Sequence, residues 1–237
     1  MRPPRRLALT AELVGRLPRD DRALGPLPGT TPLTDADYDG VAARLLARLP
    51  KGEDLWLFAY GSLLWRPACP NDGERRARAQ GWHRSFCFRI PRFRGTPERP
   101  GLMLALDRGG ACIGMAQRFA HRTALDRLGL VLRREMSVRE TPNQPRWIAV
   151  YAEDGTRHQG IAFAADRSSP LYCGRQPVPA TVEVLADAIG HVGSCAEYLM
   201  RTVERLEELG IHDAYLWRLQ AQVAERILED TEGASRR

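Results

Sequence analysis

One acidic residue in this sequence occupies a position that helix geometry would give to a leucine. In TALDRLGLVLRREMS, Leu125, Leu128 and Leu132 stand at i, i+3 and i+7, the spacing of one apolar stripe, and the next place on that stripe is Glu135. Arg127 and Arg134 are expected on the opposite side of the helix. A carboxyl carried inward at a helix C-terminus meets two influences against its charged form, desolvation and the negative end of the helix dipole. Both raise its pKa toward the range useful for proton transfer near neutrality. The competing reading is a frayed helix end at which Glu135 reaches water or pairs with an arginine. Glu140, beyond the helix, is a weaker rival for the same role.

A second feature lies upstream, where the apolar run LWLFA gives way to Tyr60-Gly61-Ser62-Leu63. Glycine after a strand lets a ligand approach the backbone, and successive N–H groups at such a turn can hold a carboxylate or phosphate. A strand end that needs glycine for its own geometry explains the same residues.

Other chemistry is poorly represented. Five cysteines (Cys69, Cys87, Cys112, Cys173, Cys195) are scattered without a CxxC, and two of them sit in strand-like runs as buried thiols do. That pattern implies a reducing compartment, with neither a disulfide framework nor a zinc site. His191 and Cys195 are four apart, but Gly193-Ser194 between them breaks a helix, so no metal pair is expected. The net charge of +6 raises nucleic acid as a partner. Lys51 is the only lysine, however, and the arginines are spread over the chain among Asp and Glu, with no basic stripe interleaved with aromatics. A solvated arginine-rich surface is expected, and no nucleic-acid or membrane partner. The MRPPRR start is followed by Glu12, Arg16 and Arg19, which interrupt any signal-like apolar run, so the chain is expected in the cytoplasm.

The elements that must position these residues fall into a pattern. Of 237 residues, 43% are hydrophobic and 27% charged, enough for one sizeable core. Residues 1–52 read as an N-terminal extension, with a Pro/Gly/Thr-rich linker at 22–34 and a helix capped by Thr34 with Asp37 three residues on. The domain proper spans 53–232, and 233–237 form a tail. Strands are expected at 55–60, 83–90, 101–107, 111–119, 146–152 and 157–165, with Asp107-Arg108-Gly109-Gly110 as a hairpin turn. Helices are expected at about 123–136, 181–190, 195–209 and 213–230, the third carrying a Ser194–Glu197 capping box. Strands grouped early and helices late make an α+β fold.

Taken together, FAYGSLLWRP, GWHRSFCFRI, PGLMLALDRGGACIGMAQRF, LRREM and GSCAEYL resemble the ChaC-type glutathione-specific γ-glutamylcyclotransferases, in order from about Leu55 to the C-terminal helices. GWHRSFC and RREM bring the likeness nearest to the bacterial branch. The resemblance implies a small mixed β-barrel flanked by helices, here with an N-terminal helical extension. It implies that the Tyr60-Gly61-Ser62-Leu63 turn holds a γ-glutamyl group, and that Glu135, matching the family's Arg-Glu pair, transfers the proton. It also implies glutathione as the small-molecule substrate, with 5-oxoproline and Cys-Gly as products.

Such a cyclisation needs no metal and no cofactor, because nucleophile and electrophile share one molecule. The turn's N–H groups would take the substrate α-carboxylate. Tyr60 is either a contact of the glutamyl group or a core ring, and Tyr198, placed near the pocket by the resemblance, is open to the same two readings. Arg84 either faces the substrate's glycine carboxylate or makes a surface salt bridge. Two regions depart from the family pattern. The first 52 residues have no counterpart in shorter members, and the loop PRFRGTPERPG keeps Arg94-Gly95 and Pro100-Gly101 but carries Glu98 and Arg99 between them, which could alter its closure over substrate.

Overall fold

The computed structural model describes residues 6–18, 25 and 27–235. In chain order its elements are α1 (Ala11–Gly15), α2 (Asp35–Leu46), β1 (Leu55–Ala59), β2 (Glu74–Ile90), β3 (Gly101–Phe119), α3 (Ala124–Glu135), β4 (Asn143–Ala152) and β5 (Arg157–Ala165). Then come α4 (Val178–Asp187), a two-residue pair β6 (Ile189–Gly190) and β7 (Gly193–Ser194), α5 (Cys195–Glu208) and α6 (Ala214–Ser235). The linker expected at 22–34 lies partly outside the described residues. The chain divides into two units, described separately.

The first unit (26–85 and 105–172) holds a closed five-stranded barrel in the order β1-β3-β2-β4-β5. β1 runs antiparallel to β3, Leu55 opposite Phe119 and Ala59 opposite Met115, and parallel to β5, Trp56 opposite Gly160. Alternation along each strand sends Phe58, Tyr60, Ala77, Ala79, Leu106 and Val150, among others, into one shared core. Closure leaves no free sheet edge.

The hairpin expected at 107–110 is absent: β3 runs unbroken through those residues. Gly109 and Gly110 take φ of 109° and 70°, a conformation open to glycine that bends and bulges a strand without ending it. Asp107, in place of opening a turn, is buried at 3% exposure and accepts from the Arg108 N–H (2.8 Å), Arg167 Nε (2.8 Å) and the Tyr172 hydroxyl (2.9 Å).

α2 begins with the expected capping box, Thr34 and Asp37 bonding reciprocally. It packs on α3, where Arg133 reaches Asp35 (2.7 Å) and the Tyr38 hydroxyl donates to the Met136 carbonyl (2.7 Å). The stretch before α2 runs beside the chain leaving α3, through a Pro32–Val138 bridge and the Arg139 N–H to Thr31 O bond.

The second unit (1–25, 86–104 and 173–237) is mainly helical. α4, α5 and α6 bury Leu185, Leu199, Val203, Leu216, Leu219 and Val223. α1, a helix not anticipated from the sequence, contacts α5 and α6, buries Leu13, and is preceded by Leu9, whose N–H donates to Gln220 Oε1 (2.9 Å). The capping box expected on α5 is only half formed. Ser194 accepts from the Glu197 N–H, while the Glu197 carboxylate goes to Arg94 (2.9 Å) and Arg201 (3.0 Å). The retained glycines of the 91–101 loop have a steric reason. A Cβ on Gly95 would stand 2.2 Å from the Gly101 N, and one on Gly101 2.7 Å from Cys195 Sγ.

Candidate active site

α3 carries Glu135 at the centre of its buried face. The residues it buries are Ala124, Leu128, Val131 and Leu132. At about 100° per residue their mean direction lies within roughly 5° of Glu135 but roughly 75° from Leu125. Leu125 is accordingly 56% exposed, not part of the stripe, whereas the Glu135 side chain is 16% exposed. The inward direction of the glutamate was right; the phase of the stripe was not.

Burial pushes the Glu135 carboxyl above the ordinary carboxylate range, and the Arg134 guanidinium pulls it back. The helix stops at this point. Met136 is extended, its N–H still bonded to Leu132 O (2.8 Å), and its carbonyl is held by Tyr38. Glu140 is excluded as a rival on the same grounds. Its carboxylate accepts from the Thr31 N–H (2.9 Å), and this bond, first among its influences, holds its pKa down.

Arg127 and Arg134 do not stand on the opposite side of α3. Both flank the buried face, 20% and 21% exposed, Arg127 paired with Asp72 and Arg134 with Glu135 (3.1 Å). Arg134 Nη2 also donates to Ser62 Oγ at 3.2 Å. One guanidinium thus joins the buried carboxylate to the glycine turn.

That turn is built from three directions. β1 delivers it from the barrel wall. The Tyr60 ring is buried in the core, and its hydroxyl donates to Phe163 O (2.7 Å). Ser62–Leu64 form a 3-10 turn closed by Leu64 N–H to Gly61 O (2.9 Å) and Arg66 N–H to Ser62 O (2.8 Å), with Leu63 and Leu64 buried as anchors. The opening amides of such a turn have no acceptor within it. Gly114 on β3 permits a close approach here, since a Cβ would lie 2.4 Å from Ala59 O.

Arg84 is not a surface residue. It is 6% exposed, and its guanidinium donates to Tyr60 O from Nε (2.6 Å) and to Ile113 O from Nη2. It ties the last residue of the β1 run to β3 from beneath the turn. Tyr60, Gly61, Ser62, Leu63, Arg84 and Glu135 all belong to the barrel unit. Tyr198 belongs to the helical unit, where it meets Phe86 edge-on (6.4 Å) and Arg94 over its ring (5.6 Å).

The geometry offers a buried carboxyl of raised pKa, a guanidinium and a run of backbone donors. That set suits moving a proton beside a bound carboxylate. A family model described as ChaC-like protein matches residues 55–226, which contain every one of these residues. The chain belongs to the ChaC-like family. The Escherichia coli glutathione-specific gamma-glutamylcyclotransferase is 34% identical over 80% of this chain and 81% of its own length. The human glutathione-specific gamma-glutamylcyclotransferase 1 is 26% identical over 66% of this chain and 71% of its own. Among solved structures, a yeast gamma-glutamyl cyclotransferase specific to glutathione covers 73% of this chain and 96% of its own at a TM-score of 0.65 and 18% identity, which supports the shared fold.

Neither Arg134's position nor Arg84's role as a strut was legible from residue type and spacing. Arginine is common throughout this chain, and the bonds from Arg134 to Ser62 and from Arg84 to Tyr60 and Ile113 reach far in sequence.

Proposed function

We propose that this chain cleaves glutathione by intramolecular cyclisation, releasing 5-oxoproline and Cys-Gly, with Glu135 as the acid–base group. Membership in the ChaC-like family and the glutathione-specific names of its relatives support the reaction and substrate. The observation that carries the assignment of Glu135 is its link through Arg134 to Ser62 of the glycine turn.

The substrate's α-carboxylate lies on the amides of Gly61, Ser62 and Leu63. This folds the γ-glutamyl chain so that its α-nitrogen faces its own γ-carbonyl carbon. Such pre-orientation is worth effective molarities of roughly 10⁵ M or more. The α-ammonium gives one proton to Glu135, and the freed amine attacks the γ-carbonyl carbon, forming the lactam C–N bond as the carbonyl π electrons move to oxygen. The ring nitrogen sheds its second surplus proton when the carbonyl re-forms. The tetrahedral oxygen is met by a donor of the turn or by the Ser62 hydroxyl. The amide bond to cysteine then breaks, and its nitrogen takes up the proton held by Glu135 and the one released by the ring nitrogen, leaving as the ammonium of Cys-Gly. No water is consumed, and no group outside the substrate and Glu135 changes its bonding. Arg134 keeps the carboxylate aimed at the turn, and Arg84 fixes the turn's entry. The extension's α2 braces the end of α3 through Tyr38. Five free thiols agree with a reducing cytoplasm, where glutathione is abundant.

The test is product analysis with purified protein. Glutathione should yield equal amounts of 5-oxoproline and Cys-Gly, with γ-glutamyl-alanine and γ-glutamyl-ε-lysine turned over roughly tenfold or more slowly. Preference for either of those two would move the substrate assignment within the family. No lactam from any γ-glutamyl compound would overturn the enzymatic reading.

A further inference from the structure

The barrel unit holds a groove of about 490 Å³ whose chemistry differs from that of the Glu135 site. Arg44, Arg48, Arg108 and Arg146 line it together with Trp82 and Trp147, and no aspartate or glutamate is among its lining residues. Its floor is apolar, with Leu45, Met136 and Pro145 contributing. Among the described residues none of the four arginines stands in an ion pair.

Two carboxylates near the groove's arginines hold other partners, although the Arg146 charge also acts on Asp166. Asp107 is turned to Arg167 and Tyr172, and Asp166 accepts from the Ser168 N–H (3.0 Å) and hydroxyl (2.7 Å). Arg44 lies in the last turn of α2 and Arg48 just past its end, and both line the groove. Arg48 lies over the Trp147 ring (5.9 Å) and Arg108 over Trp82 (5.6 Å). The Trp147 indole N–H is fixed on Leu45 O (3.1 Å).

Four like charges around one concavity repel each other and focus a positive potential that an anion relieves. Guanidinium groups match phosphate oxygens two at a time. Arginine planes stacked on indoles supply flat, cationic and apolar surfaces for a heteroaromatic ring. The volume suits a ligand far larger than a single carboxylate.

We propose that this groove binds a nucleoside polyphosphate, its phosphates on the arginines and its base against the Trp82 and Trp147 stacks. The groove includes Met136, the residue after Glu135, so such a ligand would sit one residue from the acid–base group. The proposal does not depend on the reaction assigned to that group.

Calorimetric titration of the full chain with ATP, inorganic tripolyphosphate and adenosine, at low and at physiological salt, tests it. ATP should bind roughly tenfold more tightly than tripolyphosphate, because only ATP adds stacking to the charge contacts. Adenosine alone should bind at least tenfold more weakly than ATP. Arg44→Gln and Arg108→Gln should each weaken ATP roughly tenfold, the loss of a charge-assisted phosphate contact. Arg122→Gln, an exposed arginine outside the groove, should leave ATP affinity unchanged. Trp82→Ala should remove the difference between ATP and tripolyphosphate.

Equal affinity for ATP and tripolyphosphate in the unmodified chain would overturn the base-binding part of the proposal. Equal sensitivity to the Arg122 and Arg44 variants would reduce the groove to diffuse surface charge and overturn it entirely. Displacement of ATP by glutathione would assign the groove to the substrate and also overturn it.

Discussion

Glu135 and Glu197 are both partly hidden carboxylates with an arginine beside them, 16% and 24% exposed, and they stand at opposite ends of their helices. Glu197 is in the first turn of α5, where the helix dipole favours its charge, and two guanidiniums hold it, from Arg94 and Arg201. Glu135 is the last residue of α3, where the dipole opposes its charge, and a single guanidinium reaches it. The same residue type is thereby given two uses. One carboxylate ties a loop to a helix; the other is proposed to take and give a proton. For Glu135 burial is the largest influence, and the one arginine beside it opposes the rise.

The largest effect that would sharpen this contrast is on turnover. Glu135→Gln should lower kcat by about 10²–10⁴-fold, the usual worth of a positioned acid–base group, with binding of glutathione little changed. Glu197→Gln should leave kcat within about twofold but cost about 1–3 kcal/mol of stability, since Arg94 is left part-buried without its partner. Chemical denaturation of both variants alongside rate assays separates the two. A large rate loss in Glu197→Gln would break the distinction.

Arg134→Gln comes next. Its guanidinium is what lowers the Glu135 pKa against burial, so its loss should move the acid limb of the kcat profile to higher pH and reduce kcat about tenfold or more. Unmoved pH dependence with a lower rate would leave Arg134 only a structural part.

A stability measurement gives the sign independently. A carboxyl whose folded pKa lies above its unfolded value holds its proton longer in the native state. Its contribution to stability is therefore present at low pH and lost as pH rises through the folded pKa. Glu135→Gln has no such loss. The stability of that variant relative to the parent should rise with pH from the unfolded carboxyl's range and level off once the raised folded pKa is passed, whatever the fixed cost of separating Arg134 from its partner. A difference that does not vary with pH would mean that Glu135 is not perturbed in the folded chain.

Much of the site could be read before the structure because it depends on local periodicity. The eleven residues of α3 from Leu125 to Glu135 are enough to point Glu135 inward, and the Tyr60-Gly61-Ser62 interruption marks a strand end whatever surrounds it. Even there, three leucines gave a false centre, since Leu125 has the right type and the wrong angle. The smallest prediction follows from it. Leu128→Ala should cost about 2–5 kcal/mol as a core truncation, and Leu125→Ala within about 0.5 kcal/mol of nothing.

Long-range choices were not legible in the same way. Asp-Arg-Gly-Gly is a hairpin signal in isolation, but Asp107 finds Arg167 and Tyr172 across the fold and the glycines bend a continuous strand. The directions of Arg84 and Arg134 were equally out of reach, because a guanidinium's partners are set by which carbonyls and hydroxyls the barrel brings near. The extension's grip on α3 through Tyr38 is of the same kind.

The central claim is spatial, so the most direct measurement is a crystal structure of the Glu135→Gln variant with glutathione bound. The account predicts the γ-glutamyl α-carboxylate on the amides of Gly61, Ser62 and Leu63, with the α-nitrogen within hydrogen-bonding distance of the residue 135 side chain. Glutathione lying elsewhere, or its α-nitrogen turned away from that side chain, would contradict it.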